Sequence, residues 1–466
     1  MQFNSLLFVI FAPAAVLLFY AVPRKWKNWY LLGVSLLFYS GFGIPSLLVL
    51  CGIILLTILA ARQIHVTHSK PVFIASVVLL AGMLGSIRFM DRANSTWFGL
   101  PVSFSLFVPV GLSFFTLNAI GYLCDLYKGT LEEPLSLSES ALFLAFFPTV
   151  TSGPILRSGT FAKELRHDPV PLSYPRIRKA FLWILWGYFL KLAVAERCAL
   201  LTSAVYSDPA MHGLPVLLAI AGYSLQIYAD FAGYSLIAKG LAYGMGIAIP
   251  DNFRQPYFSG SVKEFWRRWH ISLSTWLKDY VYIPLGGSRH GIWNTRRNLM
   301  LTFLVSGFWH GTGKTFLVWG ALHGLFQIAE GLLPGKQKEG QERFSSRLFH
   351  TLLTFVLVSC AWVFFRSSGV MEALDILIRA CRPGNFGILF SDRIYELGLD
   401  GRNLRILFAA LVMLVWADYR QFRHGDLMDR FLEQSPVLRI IAVWIILFFV
   451  VLSVNLSGAE FIYMQF

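Results

Sequence analysis

Apolar stretches recur along this chain from end to end, at 5–22, 45–61, 71–87, 181–195, 214–227, 351–365, 404–416 and 437–454. Several reach or approach the ~20 residues a helix needs to cross the hydrocarbon of a bilayer. Strict apolar/polar alternation is absent, which argues against a transmembrane barrel. With 56% hydrophobic and only 14% charged residues, the chain is far from the roughly 45–50% and 25% of soluble domains. The expectation is all-α: a polytopic bundle of roughly ten to twelve spans or part-spans, with broken or re-entrant helices around a central tunnel.

The net charge of +14 follows from topology. The first apolar run lacks a preceding basic region and an A-x-A-like site, so it does not read as a secretory signal. Pro23-Arg24-Lys25-Trp26-Lys27 follows it directly, suiting the cytoplasmic end of a first span with the N-terminus outside. Segments 62–70, 157–179 and 267–297 carry further Lys and Arg excess and read as cytoplasmic. Basic residues scattered between spans do not suit nucleic acid, but they suit anionic lipid headgroups or a phosphorylated donor. Five separated cysteines with no CxxC suggest neither a disulfide framework nor a zinc site.

One membrane-embedded domain is expected over 1–466, with a polar linker at 334–347 and a core segment at 222–324. In that core Trp, Tyr, Arg, His, Gly and Pro interrupt short apolar runs. Backbone of that kind at membrane depth is tolerated only when packed in protein or lining a wet cavity.

Three pieces of the core carry candidate chemistry. Asp230 lies in QIYADFAGYSLIAKG, and its spacing to Lys239 is not i,i+4, so a partner on another helix is expected. In NFRQPYFSGSVKEFWRRWHISLSTWLKDYVYIPLGG, Trp266, Arg267, Trp269 and His270 mix aromatic and basic character suited to the headgroup boundary. Ser261 with Glu264 reads as a capping box opening a helix through Trp276, on which Trp266, His270 and Leu273 share a face. The third piece, VSGFWHGTGKTFLVWGALHG, holds Ser306, Trp309, His310, Lys314 and His323. Hydrocarbon disfavours a charged imidazole, so His310 buried there is a neutral ring fit for general-base work, or a structural hydrogen-bonding histidine. On one continuous helix His310 and His323 would be about 220° apart, and no H-E-x-x-H occurs, so joint metal ligation is not expected. Gly307, Gly311 and Gly313 permit close backbone approach, as a substrate tunnel requires. Lys314 suits either an anionic substrate group or snorkelling to an interface.

EFWRRWHISLSTWLKDYVYIPLGG followed by NLMLTFLVSGFWHGTGKTFLVWGALHG resembles the membrane-bound O-acyltransferases, in particular the bacterial branch containing alginate O-acetyltransferases. FNSLLFVIFAPAAVLLFYAVP, PVGLSFFTLNAIGYLCDLYKG, FFPTVTSGPILR, YADFAGYS and the terminal FIYMQF extend the likeness over nearly the whole chain. The resemblance implies that His310 of the WHG motif is catalytic and that His270 of the RWH motif is the second site residue. It implies acetyl-CoA as donor substrate with no bound cofactor, and an extracytoplasmic relay or transferase protein that completes transfer to a polysaccharide such as alginate. The expected location is the bacterial inner membrane, as a multi-pass protein. Related branches acylate peptidoglycan, cellulose or teichoic acid. A transporter with a His/Asp proton relay is the rival class, but no paired halves with matching interruptions are evident.

Overall fold

The computed structural model describes residues 2–96, 108–167, 170–332, 344–384 and 386–454. Most of the expected linker, 334–343, and the terminal FIYMQF lie outside the described residues. The last linker residues, 344–347, begin a helix instead. Among the described residues there is no strand, and the chain is all-α. They form two compact units, one within Met1–Ile184 and Tyr234–Asp251, the other within Leu185–Gly233 and Asn252–Ala459.

The first unit opens with α1 (Leu6–Ala21), α2 (Lys27–Ser40), α3 (Ile44–Thr67) and α4 (Lys70–Thr96). It continues through α5 (Leu112–Tyr127), α6 (Leu137–Ala145) and α7 (Ser158–Arg166). Helix α3 packs on α4 and α5, and α2 on α6. Side chains supply the caps that helix ends need. Ser5 accepts from the Phe8 amide at 3.2 Å, and Ser136 with Glu139 completes a capping box on α6. Arg166 then grips Glu139 with two hydrogen bonds of 2.7 and 2.9 Å, tying the end of α7 to the start of α6.

Helix α8 (Tyr174–Tyr188) continues through a π-helical stretch, Phe189–Ala195, into α9 (Glu196–Ser207). The long α10 (Leu214–Gly244) follows, then the short α11 (Val262–Arg268) and α12 (Ile271–Leu277). Helices α13 (Gly291–His310), α14 (Lys314–Glu330) and α15 (Phe344–Arg366) pack in sequence, α14 against both neighbours. The chain closes with α16 (Val370–Cys381), α17 (Gly401–His424), α18 (Leu427–Glu433) and α19 (Pro436–Ser453).

Among the described residues four helices, α3, α10, α15 and α19, are long and apolar enough to cross a membrane. Two other expected spans fall short of that measure for physical reasons. Helix α1 has only 16 residues, and the 181–195 run is absorbed into a longer helix that carries the charges of Arg176, Arg178 and Lys179. Helix α19 buries almost none of its residues fully, as a lipid-facing helix does, whereas α10 is enclosed by protein.

The contact that positions the site is the crossing of α13 and α14. A Cβ added at Gly307 would stand 2.3 Å from the Phe316 carbonyl oxygen, and one at Gly320 2.4 Å from that of Phe303. Small residues let helix backbones approach closely inside a membrane. Gly307 therefore serves helix packing, not the tunnel wall expected from sequence, and a side chain at Gly311 would strike the Phe316 ring at 2.4 Å. Gly307→Ala or Gly320→Ala is expected to cost at least the 1–3 kcal/mol of an overpacked core. Thermal melting of the full chain in detergent checks this, and an unchanged midpoint in both variants contradicts the crossing.

Candidate functional site

Sequence periodicity runs one helix through 262–276, but the chain breaks it. Ser261 does cap the start, accepting from the Glu264 amide at 3.0 Å. The Glu264 carboxylate reaches the Gly260 amide in place of the Ser261 amide of a full capping box. Helix α11 then ends at Arg268, and His270 adopts a left-handed conformation, φ 43° and ψ 52°. The expected shared face of Trp266, His270 and Leu273 is thus corrected. The cause lies in a competing segment. The Asn252 carbonyl accepts from the Ile271 amide at 3.0 Å, and the Arg254 amide donates to the Arg268 carbonyl at 3.0 Å. The Asn252 side chain accepts from the Ser272 amide and hydroxyl at 3.3 and 2.6 Å. These bonds satisfy the backbone groups a broken helix leaves behind.

Turned inward by this break, His270 is wholly buried, with its ring edge-on to Phe231 at 4.6 Å. His310 is the last residue of α13 and is also buried. Its ring meets Trp309 at 4.6 Å, Phe365 at 5.0 Å and Trp319 at 5.1 Å. The Trp309 ring in turn lies 6.2 Å from His270. Histidines forty positions apart in sequence thus flank one tryptophan.

On the other side, Trp319 lies 5.0 Å from His323, ring to ring. The Trp266 indole N–H donates to His323 Nδ1 at 3.2 Å. Nδ1 is therefore the acceptor, and the ring proton sits on Nε2. The helix that would have joined His310 to His323 ends at Gly311, and a new one starts at Lys314. Both histidines reach Trp319 all the same. Neither the Trp319 indole N–H, the His323 Nε2 nor the Ser306 hydroxyl has a hydrogen-bond partner among the described residues, and all three residues are fully buried. Buried unpaired donors beside a candidate base are the groups that can hold a developing negative charge.

The other candidates separate. Trp269 stacks on Phe265 at 5.3 Å and meets Trp362 at 5.0 Å, a packing position beside the histidines. Asp230 takes its partner from another helical segment, as its spacing to Lys239 implied. The Lys191 ammonium donates to it at 2.7 Å, with both side chains 2% exposed. Lys191 projects from the π-helical stretch. Lys239 instead pairs with Asp251. Arg267 and Lys314 are exposed, outside the aromatic cluster. Among the described residues no three His, Cys, Asp or Glu side chains gather to hold a metal ion.

Sequence reasoning missed Trp319, Phe365, Lys191 and Asn252. Trp319 had a usable signal, because it stands four residues before His323 on one helix face. The others carry none, since the groups they meet at the site, His310 for Phe365, Asp230 for Lys191 and Ser272 for Asn252, lie 20 or more residues away.

Residues 130–367 match the MBOAT, membrane-bound O-acyltransferase, family. The chain is 31% identical over 447 residues to the probable alginate O-acetylase AlgI of Pseudomonas aeruginosa, covering 92% of this chain and 84% of that protein. It is 31% identical over 416 residues to the peptidoglycan O-acetyltransferase of Helicobacter pylori, covering 80% and 79%. The teichoic acid D-alanyltransferase of Bacillus subtilis is 30% identical over 265 residues, covering 53% and 65%.

The buried ion pair gives a test of the frame around the cluster. Lys191→Met strands the Asp230 charge, and breaking such a pair costs about 3–5 kcal/mol. The double variant Lys191→Met/Asp230→Asn is expected to recover most of the loss. Melting curves in detergent decide it, and equal midpoints for wild type and Lys191→Met contradict the pairing.

Proposed function

Because the chain belongs to the membrane-bound O-acyltransferase family and is a membrane acyltransferase, we propose that it moves acetyl from a cytoplasmic thioester to a hydroxyl presented at the other membrane face, for O-acetylation of an exported polysaccharide, with His310 as general base. The observation that carries this reading is His310 itself, buried at the end of α13 and joined through Trp309 to His270. Alginate is the acceptor class named for the Pseudomonas relative. The Helicobacter relative supports peptidoglycan as a second acceptor class.

In the proposed reaction the acceptor oxygen attacks the thioester carbonyl carbon while His310 takes the hydroxyl proton. The carbonyl π electrons move onto oxygen, giving a tetrahedral oxyanion. The unpartnered N–H of Trp319 and the hydroxyl of Ser306 are the donors we assign to that oxyanion. On collapse the C–S bond breaks, the thiolate leaves with the electron pair, and the imidazolium returns the proton to sulfur. His270 orients the acceptor, and the aromatic walls keep water from competing for the acyl group. The donor is acetyl-CoA, used as a substrate, with the basic residues of 267–297 attracting its phosphates. No resident cofactor enters the scheme. An extracytoplasmic protein hands the acetyl group to the polymer, and the chain works as a multi-pass protein of the inner membrane.

Purified protein with labelled acetyl-CoA and an acceptor tests this reading. His310→Ala is expected to abolish transfer in a folded protein, and near-normal turnover removes His310 from the mechanism. His270→Ala is expected to be impaired, and the double mutant far less than multiplicatively worse, as for residues serving one step. Trp319→Phe keeps the ring and removes the N–H. Its expected kcat loss is about 10²–10³-fold, the effect of one missing oxyanion donor, and a kcat within twofold of wild type reassigns that role.

A further inference from the structure

The first unit holds a second polar feature, remote in sequence from the histidines. Arg24, Lys25, Lys27, Asn28, Arg166 and His167, with Leu165, line a cavity of about 570 Å³. Among the described residues that line it there is no carboxylate. Two segments 142 residues apart make it, and the Arg24 guanidinium joins them by donating to the Arg166 carbonyl at 3.3 Å. The double hydrogen bond from Arg166 to Glu139 uses the charge of that guanidinium and fixes the wall. Net positive character therefore comes from Lys25 and Lys27. Both segments read as cytoplasmic from their basic excess, and meeting in one cavity puts them on the same face.

The position of the cavity selects its ligand. It lies just beyond the end of α1, whose Leu17 and Leu18 are exposed as lipid-facing residues are. Trp26 and Trp29 flank it, 54% and 46% exposed, as indoles at the headgroup level are. A cation-lined cavity at the depth of the phosphate plane suits a phosphate ester attached to a lipid more than a solute diffusing from the cytoplasm. We propose that this cavity binds the headgroup phosphate of an anionic phospholipid, with Lys25 and Lys27 as its cations and Asn28 as a neutral donor.

Native mass spectrometry of the full chain, released from micelles doped equally with phosphatidylglycerol and phosphatidylcholine, tests the site. Wild type is expected to retain phosphatidylglycerol preferentially. Lys25→Gln/Lys27→Gln should reduce that preference by about fivefold per cation removed, while Lys25→Arg/Lys27→Arg keeps it. Saturating inorganic phosphate should leave the bound lipid in place. Equal retention of both lipids by wild type overturns the proposal. So does an undiminished preference in the glutamine variant when its melting midpoint is unchanged. Displacement of phosphatidylglycerol by inorganic phosphate overturns the lipid assignment in favour of a soluble phosphate. Should the double glutamine variant fail to fold, Lys25→Gln alone carries the test, with a drop of about fivefold expected and no drop contradicting the site.

Discussion

Two helices reach backbone contact only where no side chain stands between them, and Gly307 and Gly320 clear both sides of the α13–α14 crossing. Everything proposed for the histidines depends on that contact. Helix α13 ends on His310 one turn beyond Gly307, and Trp319 precedes Gly320 directly on α14. Backbone contact at the glycines thus brings the Trp319 ring onto the His310 ring. A larger residue at either glycine separates the helices and, with them, the candidate base from the candidate donor.

The second constraint is the backbone at 269–270, which is not helical and is buried. Unsatisfied N–H and C=O groups in a low-dielectric interior cost several kcal/mol each, so such a break survives only with partners. Asn252 and Arg254 provide them, and the left-handed His270 that results faces Phe231 and Trp309. The aromatic rings do more than fill space. Their apolar faces exclude water, and their indole N–H groups supply neutral donors that bring no counter-charge. A hydroxyl acceptor and a thioester need both conditions, because free water is a rival nucleophile for the same acyl carbon.

The fold class was legible because hydropathy in long runs leaves few alternatives: α19 at Pro436–Ser453 coincides with the run at 437–454. The membrane-bound O-acyltransferase membership was legible in the RWH and WHG segments. What periodicity could not show was where helices break. The α11–α12 break rests on Asn252, eighteen residues before His270, and no local propensity encodes that bond. Lys191 escaped for the same reason, since it lies 39 positions from Asp230 on a π-helical stretch. The glycines at 307 and 311 suit a tunnel wall as well as a helix crossing, because close approach to a substrate and close approach to a helix look alike in sequence.

The central claim is that this chain O-acetylates an exported polysaccharide through His310. The most direct measurement is the O-acetyl content of exported polysaccharide and of membrane lipids, taken in parallel from cells lacking the gene and from the same cells carrying wild-type or His310→Ala protein at equal membrane levels. Cells lacking the gene are expected to lose O-acetyl from the polysaccharide alone, restored by wild type and not by His310→Ala. Loss confined to the lipid fraction, or full restoration by His310→Ala, contradicts the claim.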